Sequence, residues 1–539
     1  MEGISISSKP VENDRESSAE PHAEVPSFVG SRGRKATMNS AAAALEYGTR
    51  LLASFVVKPV LVSGLGAFGY GTWEVLGRLA GQLGPAAGQA GHALRWTVAH
   101  HQSSQDFEKK RRTVGSAIAV WALLLPVCVI ASFLIAWLLP DWLDAPADAA
   151  EMLRLTALLL GANVAMMSLV EIPKAVLEGE NLGYKRMGFS ALLIAVGGVL
   201  AMTVVWLGFG LVGLAASTLL TSICTGLFFL FVVQKSVHWF GVLCPTWSSI
   251  RHFFGLSRWF LTWQMVLQLI RASDVILLGV FASVELVTVY SLTKYAPETA
   301  INLVAIVVFG VTPGLGGIIG AGDLTKATQI RTEILSLTWL IATTAGGTAL
   351  LWNQSFLNLW VGQEFDAGMT STLLLVVMVT QFVLLRSDAN IIDLTLELRA
   401  KVRIGFLAAL ISVVLAAVLV GYFELGIVGL CVGMIVGRLV LNVAYPWIVG
   451  RYLGIHFFSQ ARRAVRPGLL SILVFLLASS LAAQLSVISW ASLVAWVAGT
   501  ALILPMPLFF FGLNKEIRSQ LTKRIYGLFE TTRSGADKP

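Results

Sequence analysis

Long apolar segments separated by short polar ones recur along most of the chain, and this pattern predicts transmembrane helices. A helix needs about 20 apolar residues to cross the hydrocarbon core of a membrane, and its backbone then satisfies its own hydrogen bonds. Fourteen segments are long enough: residues 39–63, 69–94, 114–139, 152–173, 187–207, 210–233, 256–281, 285–312, 332–352, 368–388, 403–423, 426–449, 467–486 and 490–512. The sequence therefore predicts an all-α polytopic membrane protein with about 14 transmembrane helices.

The two ends of the chain are polar and lack this pattern. Residues 1–38 are rich in Glu, Ser, Pro and Arg and contain no apolar core of a signal peptide, so we expect a disordered cytoplasmic tail, with Met38 as an alternative start. Residues 513–539 place Ile517, Leu521 and Ile525 on one helical face and Lys and Arg on the other. That arrangement is typical of an amphipathic helix on a membrane surface.

The composition agrees with a membrane protein and excludes two other classes. Of the 539 residues, 56% are apolar and 13% are charged, and the mean hydropathy is +0.75. A soluble domain has about 25% charged residues, so as a water-soluble enzyme this chain would expose too much apolar surface. A disordered chain needs low hydrophobicity and high charge. The four cysteines are scattered and form neither a disulfide framework nor a metal-binding spacing.

The basic residues predict the orientation in the membrane. With the N-terminus in the cytoplasm, 32 of the 39 Lys and Arg residues lie in cytoplasmic loops or tails, and the remainder lie within spans. The outer loops carry acids instead, including Asp141, Asp144 and Glu364. A missed span would disrupt this asymmetry from that point onward, so the positive-inside rule supports fourteen spans with both termini cytoplasmic. The net charge of +8 follows from this topology and does not require nucleic-acid binding.

The two halves of the chain resemble each other. Gly188-Phe189 before the fifth span aligns with Gly405-Phe406 before the eleventh, at an offset of 217 residues. GLVGL at 210–214 aligns with GIVGL at 426–430. A period this long indicates duplication of a six-helix unit. Because six is even, both repeats enter the membrane from the same side, which predicts two parallel lobes with a shared cavity between them.

The spans, loops and repeat together predict six regions. They are a disordered cytoplasmic tail (1–38), an N-terminal six-helix lobe (39–233), a cytoplasmic linker (234–255), a C-terminal six-helix lobe (256–449), helices 13 and 14 (450–512) and a cytoplasmic amphipathic tail (513–539).

Charged residues inside the spans are the candidates for a substrate site, because each is costly in lipid unless it faces a cavity or a partner. Four cations lie in the first two spans of each half: Arg50, Arg78, Arg271 and Lys294. Each has an acid three or four residues away on the same helical face: Glu46, Glu74, Asp274 and Glu298. Two interpretations remain open. The acids pair with the cations and lock the packing, or the cations hold an anionic headgroup and the acids couple an ion. Arginine suits a phosphate because its fork donates two parallel hydrogen bonds.

The remaining motifs indicate no enzyme chemistry. Gly64-Leu-Gly66-Ala-Phe-Gly69 satisfies G-x-G-x-x-G but lies between two spans, with no strand before it. The sequence contains no Walker A, HExxH or GxSxG motif, so ATP-driven transport by this chain alone is excluded. We predict no catalytic residue, no metal and no cofactor. Arg154, Arg386 and Arg438 lie nearer the span ends, and we expect them to extend to the membrane interface.

Several stretches of the chain resemble the polysaccharide transporter (oligosaccharide flippase) family of the multidrug/oligosaccharidyl-lipid/polysaccharide flippase superfamily. They are GLGAFGYGTWEVLGRL, LEGENLGYKR, RASDVILLGVFASVELVTVYSL and FLNLWVGQEFDAG, within residues 37–450. The resemblance implies two six-helix lobes forming a V around a central cavity, followed by two further helices. It also implies that cavity cations, at the positions of Arg50, Arg78, Arg271 and Lys294, hold the diphosphate of an undecaprenyl-diphosphate-linked oligosaccharide.

The expected function is a flippase that moves this lipid-linked oligosaccharide across the bacterial inner membrane by alternating access, for polysaccharide biosynthesis. Its partners would be the lipid-linked glycan, membrane lipids and polysaccharide-assembly proteins, and not nucleic acid. The first alternative is a cation-coupled drug antiporter of the same superfamily, for which twelve spans are typical. The second is a membrane polysaccharide polymerase or ligase. It is disfavoured because the outer loops at 140–151 and 353–367 are short and lack His, Arg and Lys.

Overall fold

The computed structural model describes residues 28–86, 90–102, 104–320, 322–395 and 398–513, with residues 515, 517–519 and 522 of the C-terminal segment. Most of the two predicted tails therefore lies outside the described residues. Within them, fourteen long helices form and no strand does. The helices are α1 Phe28–Ala86, α2 Ala90–His100, α3 Phe107–Trp142, α4 Ala150–Gly179, α5 Tyr184–Trp206, α6 Gly210–Ser236, α7 Trp247–Phe281, α8 Val284–Gly320, α9 Leu324–Trp360, α10 Met369–Thr395, α11 Leu398–Gly421, α12 Gly426–Leu453, α13 Phe457–Ala482 and α14 Trp490–Ile503.

The number of spans agrees with the prediction once a kink in α1 is taken into account. Among the described residues, 12 helices are long and apolar enough to cross a membrane. The first, Ala41–Gly84, has 44 residues and is broken at Gly66 (φ 70°, ψ 177°), so it contains the first two predicted spans. Helix α8 corresponds to the eighth predicted span. The prediction of an all-helical polytopic protein with about fourteen spans is confirmed.

One predicted boundary is wrong. The second span was expected to run from residue 69 to residue 94, but α1 ends at Ala86 and a separate helix, α2, runs from Ala90 to His100. Gly84 and Gly91 belong to different helices as a result. The apolar pattern alone does not distinguish one long helix from two shorter ones.

Matching details of the backbone support the internal repeat. Asp106 caps α3 by accepting a hydrogen bond from the Lys109 N–H (2.9 Å), and Asp323 caps α9 by accepting one from the Lys326 N–H (3.0 Å). The two caps are 217 residues apart. The turns before α6 and α12 also correspond, because Gly208, Gly210, Glu424 and Gly426 all have positive φ (80°, 57°, 53° and 51°). Equivalent helices in the two halves therefore begin with the same local geometry.

Glycines bring α11 and α12 into close contact. A Cβ at Gly433 would lie 2.5 Å from the backbone N and Cα of Ala416, and one at Gly437 would lie 2.4 Å from the Cα of Ser412. Small residues at this spacing allow the backbones of two membrane helices to touch. The glycines of the second predicted span behave differently, since a Cβ at Gly77 would meet nothing within 4 Å. Close packing therefore explains the first stripe but not the whole of the second.

We expect Gly433→Ala to destabilise the protein, because the backbone of α11 cannot move without separating the two helices. Overpacking of this kind costs about 1–3 kcal/mol. Thermal unfolding of the purified protein in detergent measures the effect. Gly499→Ala in α14 is the matched control, since a Cβ there meets nothing within 4 Å. Equal unfolding temperatures for the two variants would contradict the interpretation of the α11–α12 contact.

The second half of α1 joins the two lobes. It packs against α7 and α8, the first two helices of the C-terminal half. The Thr288 hydroxyl donates to the Ala67 carbonyl (2.6 Å) near one end of this contact. Further along, the Gln268 side chain donates to the Gly81 carbonyl (2.8 Å) and Gln82 donates to the Gln268 carbonyl (3.3 Å). Helices α13 and α14 pack outside the repeat, mainly against α9.

Candidate functional site

Charged side chains from both lobes meet at a small cavity of about 40 Å³ beside the second half of α1. We call these residues the cation cluster: Arg78 of α1, Arg271 and Asp274 of α7, Lys294 and Glu298 of α8, and Arg438 of α12. The cluster contains four cations and two carboxylates. Three of the four predicted cations therefore lie together, and all but Arg78 come from the C-terminal lobe.

Within the cluster, Lys294 is neutralised by an acid from another helix. Its Nζ lies 2.6 Å from Oδ2 of Asp274 and 3.7 Å from Oε2 of Glu298. The Tyr290 hydroxyl also donates to Asp274. Asp274 and Lys294 are both buried, with exposed fractions of 2% and 7%. The sequence spacing predicts a pair between Arg271 and Asp274 within α7, but the carboxylate instead joins α7 to α8.

The N-terminal lobe has the same arrangement with the charges exchanged. Lys58 Nζ lies 3.2 Å from Oε1 of Glu74, and the Tyr70 hydroxyl donates to the same carboxylate oxygen (2.7 Å). Tyr70 and Glu74 are spaced like Tyr290 and Lys294, and the two tyrosines are 220 residues apart. In each lobe, a salt bridge and a tyrosine hydroxyl therefore join the first two transmembrane segments. The predicted pair between Glu74 and Arg78 is replaced by the one with Lys58.

These cross-helix pairs leave two arginines uncommitted. Among the described residues, Arg78 and Arg271 form no hydrogen bond and no salt bridge, although Asp274 and Glu74 lie near enough to Arg78 to attract it. Arg271 is exposed and also lines a neighbouring cavity of about 160 Å³ with Arg386 and Lys401. Arg78 and Arg271 come from opposite lobes, so an anion between them would contact both lobes at once.

The sequence analysis missed Arg438, which it assigned to the membrane interface. The side chain is buried (6% exposed), and its guanidinium donates to the Ile270 carbonyl (2.8 Å) and lies 5.6 Å from the Phe382 ring centroid. Its Nε has no hydrogen-bond partner among the described residues. The buried neighbours Met434 and Leu441 lie four and three residues away on the same helical face. That periodicity was the available indication of an inward-facing arginine.

Arg50 lies apart from the cluster. Its side chain is 66% exposed and pairs with Glu46 of its own helix (3.3 Å), as the spacing predicts. Glu46 is also 3.3 Å from Arg186 of α5, which in turn binds Glu178 of α4. The structure therefore places the first predicted pair on the surface of an ion-pair network within the N-terminal lobe.

That network borders a second cavity, of about 440 Å³, which we call the polar chamber. Three acids and three bases line it: Glu46, Glu171, Glu178, Arg95, Lys174 and Arg186. Asn163 and Ser168 of α4 and Gln264 of α7 also face it, so both lobes contribute. Gly84 and Gln264 of the chamber lie six and seven residues along α1 and α7 from Arg78 and Arg271, about 9–10 Å at helical rise. The chamber and the cation cluster thus follow one another along the contact between the lobes.

Comparison with known proteins follows from this geometry. Residues 105–315 match the sequence model of a family described as "Polysaccharide biosynthesis protein". A structure of the lipid II flippase MurJ in an inward closed conformation aligns with a TM-score of 0.64 and 13% identity, over 88% of this chain and 99% of that one. An inward-facing MATE family multidrug transporter of the MOP superfamily aligns with a TM-score of 0.63 and 16% identity, over 76% and 98%. No curated protein sequence matches the chain.

The fold therefore places this chain among the membrane transporters and flippases of the MOP-superfamily type. With the family match over residues 105–315, the predicted resemblance to a polysaccharide and lipid flippase family is confirmed. An outward-facing MATE transporter aligns less well, with a TM-score of 0.51 at 17% identity over 77% of this chain and 96% of that one. The lobes described above are accordingly arranged more like those of the inward structures.

Proposed function

We propose that the protein is a flippase that moves an undecaprenyl-diphosphate-linked oligosaccharide across the bacterial inner membrane by alternating access. The observation that carries this proposal is the pair of uncommitted arginines, Arg78 and Arg271, on opposite lobes of a cavity within the membrane. A guanidinium without a protein partner in such a place is costly unless a ligand or water satisfies it. A diphosphate offers several acceptor oxygens to both forks.

The sugars of such a substrate would occupy the polar chamber. Its three acids and three bases balance, so it offers an uncharged polyol both donors and acceptors without repelling it. The side-chain amide of Gln264 and the NH₂ group of Asn163 have no hydrogen-bond partner among the described residues. The distance of about 9–10 Å along α1 and α7 allows a diphosphate at the cluster and its first sugars in the chamber.

An apolar groove offers a place for the lipid tail. It has a volume of about 580 Å³ and lies between α8, α9 and α14, with Trp352, Phe356, Leu493 and Val497 among its lining residues. A polyprenyl chain there would remain in an apolar environment while the polar head crosses between the lobes. Moving the head through lipid unaided would strand its polar groups at several kcal/mol each.

We expect Arg271→Gln to weaken binding of undecaprenyl diphosphate to the purified protein about tenfold or more, because charged hydrogen bonds contribute about 1.5–3 kcal/mol each. Native mass spectrometry of the detergent-solubilised protein measures the bound fraction. Arg154→Gln is the matched control, since Arg154 is exposed and lies 5.1 Å from the Trp137 ring centroid, away from the cluster. Unchanged binding in a variant carrying both Arg78→Gln and Arg271→Gln would contradict the proposed diphosphate site.

A cation-coupled drug antiporter is the second candidate, because the MATE transporter shares the fold. Such a protein needs a carboxylate that is available to a proton or metal cation. Asp274 and Glu74 are each bound to a lysine and a tyrosine, which leaves Glu298 as the more open acid of the cluster. Loss of drug resistance with intact polysaccharide export in a deletion strain would favour the antiporter.

The proposed orientation places both termini in the cytoplasm, supported by the distribution of Lys and Arg between the two sets of loops. Reporter fusions at the two ends test it. The lipid-linked glycan is the proposed substrate, and polysaccharide-assembly proteins are the proposed partners.

A further inference from the structure

A third cavity, separate from the lobe contact, lies where α13 meets α9. It has a volume of about 290 Å³, and we call it the seam cavity. Its lining residues are Thr325, Thr328, Gln329, Thr332 and Ser336 of α9, Arg463 and Pro467 of α13, and Gly512, Leu513 and Ile517 of the C-terminal segment. The positive-inside pattern assigns this end of both helices to the cytoplasmic side.

The cavity forms because α9 and α13 separate toward their first turns. Deeper in the membrane the helices touch: the hydroxyls of Thr343 and Ser471 are hydrogen-bonded at 2.6 Å, and a Cβ at Gly346 would collide with Phe475. Toward the helix starts, Thr325, Thr328, Thr332 and Ser336 continue one face of α9 at spacings of three and four residues. This row of hydroxyls extends about 16 Å along the helix.

The chemistry of the lining favours an anion. No carboxylate is among the described lining residues, and Asp323 nearby is committed to capping α9. Arg463 forms no hydrogen bond or salt bridge within the described part of the chain. Thr325, Thr328 and Ser336 likewise have no side-chain hydrogen bond to a described residue. The cavity therefore offers a guanidinium, an amide and several free hydroxyl donors.

We propose that the seam cavity binds the phosphate headgroup of an anionic phospholipid from the cytoplasmic leaflet. The surroundings favour a lipid over free phosphate, because Pro467, Leu513 and Ile517 provide apolar contacts beside the donors. Next to the cavity, α13 exposes an apolar surface on which acyl chains can lie: Leu469, Ile472 and Leu473 are 62%, 57% and 52% exposed. A lipid bound there links the two helices outside the repeat to the C-terminal lobe. This role is independent of the proposed flippase activity.

Native mass spectrometry of the purified full-length protein tests the site. The probes are phosphatidylglycerol, phosphatidylcholine and inorganic phosphate, each added at the same concentration. We expect phosphatidylglycerol to bind, and Arg463→Gln to reduce its binding about tenfold, since the charged hydrogen bonds of the guanidinium are lost. Thr328→Val with Thr332→Val should reduce it further. Arg462→Gln is the matched control, because Arg462 is exposed on the same turn but does not line the cavity.

Each outcome decides the proposal. Selective binding of phosphatidylglycerol that Arg463→Gln weakens and Arg462→Gln does not supports it. Equal binding of phosphatidylcholine would overturn the requirement for an anionic headgroup. Equal binding of phosphatidylglycerol to both arginine variants would overturn the site. If inorganic phosphate prevents phosphatidylglycerol binding at equal concentration, the acyl contacts contribute nothing and the cavity is a free-phosphate site, which also overturns the proposal.

Discussion

Replacing Lys294 with methionine should destabilise the folded protein by about 3–5 kcal/mol, the usual cost of removing one partner of a buried ion pair. Asp274 is 2% exposed and would keep only the Tyr290 hydroxyl as a direct side-chain partner. Arg78 lies close enough to attract the carboxylate and would offset part of the loss, which favours the lower end of that range. Thermal unfolding and the yield of monodisperse protein in detergent measure the effect.

A second substitution distinguishes lost charge balance from lost packing. The variant carrying Lys294→Met and Asp274→Asn removes both charges while the asparagine can still accept a hydrogen bond from Tyr290, so it should be more stable than Lys294→Met alone. Arg50→Gln is the control for a surface pair, because that arginine is 66% exposed and such pairs contribute about 0–1 kcal/mol. If the double variant unfolds as readily as Lys294→Met, the buried pair is not what holds α7 to α8.

The fold could be predicted from the sequence because a membrane imposes strong constraints on composition. Each span must be long and apolar, and the loops must carry basic residues on one side. These two patterns led to the fourteen spans, and the repeat followed from short matches such as GLVGL and GIVGL. The end of the second span was predicted wrongly, because residues on both sides of the break after Ala86 are equally compatible with a helix.

The site was predicted only in part, and the reason is geometric. Helical spacing identifies neighbours within one helix, and it found the Glu46–Arg50 and Lys294–Glu298 pairs. It cannot show that Asp274 reaches Lys294 or that Glu74 reaches Lys58, since these partners lie 20 and 16 residues apart on different transmembrane segments. The uncommitted state of Arg78 and Arg271 follows from those cross-helix pairs, so it became visible only in three dimensions. The polar chamber was missed for the same reason.

The other large effect is expected from Gly71→Ala, which should prevent the lobes from closing at the end near the α7–α8 turn. A Cβ at Gly71 would lie 1.7 Å from the Val284 carbonyl oxygen and 2.8 Å from the Thr288 hydroxyl. Both belong to α8 in the opposite lobe, and a backbone carbonyl cannot move aside as a flexible side chain can. In the predicted topology this end faces outward, so the closed outer gate would be lost and polysaccharide export should fall below detection.

Two measurements make this prediction testable even if export fails for another reason. Val284 is 3% exposed, so Val284→Cys should be protected from a membrane-impermeant maleimide in the parent protein and labelled when combined with Gly71→Ala. Gly77→Ala on the same segment is the matched control, because a Cβ there meets nothing within 4 Å, and it should leave both export and protection unchanged. Normal export with continued protection in the Gly71→Ala variant would mean that the contact between α1 and α8 is not a gate. Labelling with normal export would mean that transport does not require its closure. Loss of export together with labelling is the outcome that alternating access requires, since a protein held open on one side cannot return for the next substrate.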